Sequence, residues 1–166
     1  YLGGLRMMVT DLVENKVLCN IQKTINPASW VNPNSCNTMD SIRLQAKRMN
    51  EMQAYIDAQS GGPGEGWFRI VDSPAQARQV IADGKMAVLM GVEASETFNC
   101  GGKDTCTKAT IDAQLNELHN LGIRTIYPTH KFNNQFGGSQ AESGLMNLGN
   151  FTTKPLSIVM KMDYLN

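Results

Sequence analysis

"KMAVLMGVE", Lys85 to Glu93, is a nearly continuous apolar run closed by a carboxylate. A strand with one wet face alternates apolar and polar residues, whereas a parallel strand covered on both faces has no need to. The run therefore predicts a buried parallel strand, and its flanks agree. Upstream, "SPAQARQVIADG" has the signals of a helix: Ser73 as N-cap, Pro74 at the first helical position, Gln76 completing a capping box and Gly84 as terminator. Before that helix, "WFRIV" (Trp67 to Val71) is a short strand. Downstream, "TKATIDAQLNELHNLG" puts Ile111, Leu115, Leu118 and Leu121 on one face and ends at Gly122. The strand "IRTIYP" then leads to His130.

The same pattern extends toward the N-terminus. "TMDSIRLQAKRMNEMQAYIDAQ" carries Ile42, Ala46, Met49, Met52 and Ile56 at helical spacing. "GGLRMMVTDLV" (Gly3 to Val13) begins as a buried strand, and a Pro/Asn-rich loop is expected from there to Asn37. Strand and helix alternate throughout, which calls for right-handed crossovers and a parallel sheet. The fold class is α/β, and periodicity leaves open whether the sheet is doubly wound or closes into a barrel. Residues 1–166 read as a single domain. "SGGPGEG" (Ser60 to Gly66) lacks a Gly-Lys-Ser/Thr ending and precedes a strand, so it is a turn rather than a phosphate cradle. Beyond residue 130 the pattern weakens: "GGSQAESGLMNLGNFTTKP" is loop-like, and "LSIVMKMDYL" reads as one more short strand or helix.

Composition narrows the function classes. The 166 residues are 42% apolar and 18% charged, the balance of a globular chain long enough for a real core. Fifteen basic and fifteen acidic residues cancel, which argues against nucleic acid or an anionic membrane surface as partner. The densest basic run, "RLQAKR" (Arg43 to Arg48), has helical spacing and reads as a solvated helix face. No apolar stretch approaches the roughly 20 residues that span a bilayer. The chain opens on Tyr1 with no signal peptide, so a processed, cut or incomplete N-terminus is expected.

Four cysteines, Cys19, Cys36, Cys100 and Cys106, match no zinc-site spacing, and two histidines cannot complete one. Disulfides suit them better. Of three possible pairings the two local ones are preferred: Cys100 with Cys106 around "CGGKDTC", and Cys19 with Cys36 around a Pro/Asn-rich segment. Four reduced thiols in a cytosolic protein are the alternative. "NFT" at Asn150 fits a glycosylation acceptor.

Glu93 ends one apolar strand, and His130 follows the next. In parallel α/β folds functional groups gather where strands end and connecting loops form a pocket. If the two strands are neighbours, their axes lie about 4.8 Å apart, and both side chains reach one small site. A carboxylate and an imidazole together suit metal binding and carbonyl polarisation. Against this stand a solvated glutamate and a histidine satisfied within its own turn. His119, on the helix "LNELHNLG", reads as a surface or cap residue.

"GVEASETF … IDAQLNELHNLGIRTIYPTHKFNN" resembles the heart of the membrane (renal) dipeptidases, in a secreted branch of that kind. There a Glu-Gly motif ends one barrel strand, and after a helix comes a segment of the form G-[IVM]-R-Y-L-T-L-T-H with an Asn soon after. The likeness covers roughly Lys85 to Asn134. Ala94 stands where the family has glycine, and the stretch from Ala94 to Thr107 looks like an insertion with its own cysteines. Residues 1–84 share only the strand-helix order.

The resemblance implies a (β/α)₈ TIM barrel, partly present in this chain, with two divalent metals, usually zinc, bridged by one glutamate. On that carry-over Glu93 is the bridging ligand. His130 is not a ligand but faces the substrate and steadies the tetrahedral intermediate, while a metal-bound hydroxide attacks the carbonyl. The implied activity is hydrolysis of a small peptide, amide or related ester by a secreted, periplasmic or cell-surface metallopeptidase of dipeptidase type. The family's His-x-Asp pair on the first strand has no counterpart here, and its two further histidine ligands and late aspartate would fall beyond Asn166. A barrel of this kind needs about 250 residues, so the chain is expected to be an inner portion completed by the rest of its polypeptide or by other copies. A catalytically silent barrel with a binding or structural role is the alternative. A small flavodoxin-like domain is disfavoured, since no phosphate-binding glycine loop follows any strand.

Overall fold

The computed structural model describes residues 1–26, 33–102 and 106–138, with Gly144, Asn147 and Gly149. Its elements are β1 (Met7–Glu14), α1 (Lys16–Ile25), α2 (Thr38–Gln59), β2 (Phe68–Ile70), α3 (Pro74–Ala82), β3 (Met86–Ala94), a 3₁₀ turn (Thr97–Asn99), α4 (Lys108–Asn120) and β4 (Ile123–Tyr127). The fold is α/β with a parallel sheet, open among the described residues rather than closed into a barrel. β3 pairs with β1, β2 and β4. The short β2 runs parallel to the start of β3, with Phe68 opposite Met86 and Ile70 opposite Val88.

The chain packs as two compact units. The first comprises Tyr1–Leu12, Ile42–Val92 and Leu115–Ile126; the second draws its described residues from Val13–Ser41, Glu93–Gln114 and Tyr127–Asn166.

In the first unit β3 is covered on both faces, as its unbroken apolar run requires. Met86 and Val88 pack with Phe68 against Met49 and Ile56 of α2. Ala87, on the opposite face by strand alternation, packs with Val71 and Ala77, the latter on α3. Each large side chain sealed this way contributes roughly 1.5–3 kcal/mol. Met52 departs from the expected buried stripe of α2 and is exposed, as is Leu115 of α4.

Local signals behave as their chemistry dictates. Ser73 Oγ accepts the Gln76 N–H at the start of α3. The reciprocal bond comes one residue earlier than a capping box has it, from the Asp72 N–H to Gln76 Oε1. Gly84 and Gly122, which end α3 and α4, have φ of +74° and +87°, a region where a Cβ is costly. "SGGPGEG" is a turn with three positive-φ glycines, Gly61, Gly62 and Gly64. Asp57, near the end of α2, closes that turn by accepting the Gly66 N–H at 2.8 Å and binding Arg69 of β2 through both oxygens, at 2.6 and 3.1 Å.

One element departs from expectation. The segment after β1, expected as loop to Asn37, contains α1. Asn15 caps it, its Oδ1 accepting the Leu18 N–H at 3.1 Å, and Cys19 is its one buried residue. Asn20 and Thr24 favour caps and turns over helix interiors, which hid the helix beside a Pro/Asn-rich tract. The sequence patterns placed at 139–166, apart from the three residues named above, lie outside the described residues, Asn150 among them.

Candidate functional site

Glu93 and His130 both belong to the second unit. Glu93 is the penultimate residue of β3, and His130 lies three residues past β4. β3 and β4 are paired, so consecutive crossovers deliver a carboxylate and an imidazole to the same end of the sheet. They meet: His130 Nε2 is 3.0 Å from Glu93 Oε1, with the side chains 28% and 33% exposed. An imidazole donating from Nε2 is held in one orientation by this carboxylate. The second ring nitrogen, Nδ1, is buried and has no hydrogen-bond partner among the described residues. Such an atom is costly in a folded protein and asks for a proton partner.

The histidine sits on a strained corner. Lys131 has φ +63°, and the Phe132 N–H reaches back to the His130 carbonyl at 2.7 Å. A three-residue turn with positive φ at its centre is rare and persists where the surroundings over-determine it. Those surroundings are explicit. Phe132 is buried, and Asn134 is a hub. Its Nδ2 donates to the Ser95 and Pro128 carbonyls at 3.1 and 2.7 Å. Its Oδ1 accepts from Thr129 Oγ1 and the N–H groups of Phe136 and Gly137. The loop containing His130 is thereby tied to the segment that follows Glu93.

That segment is anchored as well. Buried Glu96 forms an ion pair with Lys16 at 2.7 Å, and Ser95 accepts the Lys16 N–H and donates its own N–H to the Glu14 carbonyl. Gly101 lies close beside this carboxylate, and a Cβ there would come within 2.6 Å of Glu96 Oε1, so any larger residue would have to displace the paired carboxylate. Both disulfides take the local pairing: Cys19 with Cys36, and Cys100 with Cys106.

Of the residues singled out in the sequence, Glu93 and His130 come together, the four cysteines pair, and His119 is exposed at the end of α4. Asn134, Gln135 and the Lys16–Glu96 pair were not singled out for these roles. In the first unit, Asp11 of β1 and Thr125 of β4 converge on Gly91, where a Cβ would lie 2.1 and 2.3 Å from their oxygens. The Asp in "VTDLV" carried no signal beyond its charge.

A two-metal centre does not fit the described residues. No group of three or more His, Cys, Asp and Glu side chains among them could hold a metal ion, and Glu93 already shares Oε1 with His130. No helix among them is long and apolar enough to cross a membrane. Comparison with family models, curated proteins and solved structures found no match.

Proposed function

We propose that the Glu93–His130 pair belongs to the reaction centre of a hydrolase that cleaves an amide, peptide or related ester bond, and that the chain is an inner portion of a (β/α)₈ barrel of the membrane-dipeptidase kind. The observation carrying this reading is the 3.0 Å contact between two chemically complementary groups at the ends of paired parallel strands. Support also comes from the partial exposure of both side chains. In this role Glu93 orients the ring, and His130 serves as the proton-transferring group. A divalent ion, zinc in the dipeptidase pattern, would polarise the scissile carbonyl when bound. The described residues offer it Glu93 alone, too few ligands to hold it. A site outside the cytosol is part of the proposal, since two disulfides persist best in an oxidising compartment.

The test is hydrolysis of a panel of dipeptides, N-acyl amides and aryl esters by the purified protein, with metal content measured alongside. Glu93→Gln and His130→Asn should each lower the rate by about 10²-fold or more. Full activity in both variants refutes the assignment.

A second reading, a catalytically silent binding or structural protein, is favoured by one observation: the pair closes on itself, with the remaining ring nitrogen buried. It predicts no turnover on any panel member, no bound metal, and a lower melting temperature for Glu93→Gln.

A further inference from the structure

We infer that Gln135 is a positioning residue for His130, transmitting the constraint of the Cys100–Cys106 disulfide to the imidazole. Gln135 bonds to both ends of the disulfide-closed loop. Its N–H donates to the Cys100 carbonyl at 3.2 Å and its Nε2 to the Gly101 carbonyl at 3.3 Å. Its Oε1 accepts the Cys106 N–H at 3.0 Å. These groups lie at fixed separation only while the disulfide joins Cys100 to Cys106.

Asn134, the adjacent residue, is the hub that braces Ser95 and Pro128. Between that hub and Glu93's partner lies the positive-φ Lys131. The segment leading into Cys100 is strained as well: Phe98 and Asn99 have φ of +60° and +57°, and Phe98 packs edge-on against Phe136. A left-handed corner at Lys131 relaxes unless both flanks are held. β4 holds one flank. The other is held by Asn134 and Gln135, and Gln135 in turn leans on the disulfide. With the disulfide open the loop gains conformational freedom, the three Gln135 bonds lose their preset geometry, and the ring swings off Glu93.

The role presupposes the pair as the working site, but its readout is the ring itself. The chain has two histidines, so nitrogen-15 labelling gives two sets of imidazole signals, and exposed His119 serves as internal reference. The experiment compares wild type, Gln135→Ala, Gln135→Glu, and the Cys100→Ser/Cys106→Ser double variant. Gln135→Ala keeps both disulfides, which separates positioning from folding. The expected result is that His130 moves toward the tautomer balance of a free imidazole in Gln135→Ala and in the double variant, while His119 stays in place. Gln135→Glu, which keeps an acceptor for the Cys106 N–H, should recover part of the shift. An unmoved His130 in Gln135→Ala or in the double variant overturns the inference. So does equal movement of both histidines, which would mean general loosening. A protein that hydrolyses none of the panel still answers this test, and an uncoupled ring leaves the hydrolase reading standing.

Discussion

Single carboxylates decide much of this molecule, and Asp57 shows how. The Arg69 guanidinium bound to it, opposed by partial desolvation and helped by the Gly64 and Gly66 N–H groups, lowers its pKa from 3.8 to about 2. A depressed folded-state value means that the stabilisation is complete above the ordinary aspartate range and drains away as pH falls through about 2. The melting temperature should therefore drop between about pH 5 and about pH 2, and Asp57→Asn should be less stable at the upper end with a flatter acid dependence. Equal slopes for wild type and variant would place the acid sensitivity elsewhere. Glu93 and His130 stood out in the sequence because each is a lone ionisable group closing an apolar run. Asn134 and Gln135 did not, because their partners at Ser95, Cys100, Gly101 and Cys106 are 29 to 39 residues away. A polar residue whose decisive bonds reach so far along the chain looks like any other loop residue in a one-dimensional pattern.

Elements whose signals are local were legible. α3 has its cap, its proline and its glycine within one turn of its ends, and β3 has an uninterrupted apolar run. α1 was not, since it carries little intrinsic preference and depends on Asn15 and on the Cys19–Cys36 bond. This dependence is measurable. A crosslink across 17 residues restricts the unfolded chain by about 3 kcal/mol and one across 6 residues by about 2 kcal/mol. Urea denaturation should accordingly find Cys19→Ser/Cys36→Ser the more destabilised double variant, with loss of helical circular dichroism from α1. The opposite ranking would show that strain relief or residual unfolded structure outweighs loop length.

At the scale of the whole molecule, the parallel arrangement was foreseeable from alternation of elements, whereas the strand order was not. β1 pairs with β3 rather than with β2, the next strand in the chain, and pairing of this kind is a long-range outcome with no signature in periodicity. The open sheet has a physical consequence for the 166 residues taken alone. β1 stands at one end of the order β1-β3-β2, and Met7 and Val9 on it are 45% and 51% exposed. Apolar side chains on an edge strand invite pairing with another chain. Sedimentation of the isolated 166-residue chain should give a mass that rises with concentration above 18.2 kDa. Val9→Lys should suppress that rise, because a charge on an edge strand blocks strand addition, while the melting temperature stays near that of the parent because the position is half exposed. A mass of 18.2 kDa at every concentration would mean that β1 is protected where it stands. The barrel reading would then lose its expectation that further strands, from the same polypeptide or another copy, complete the sheet at this edge.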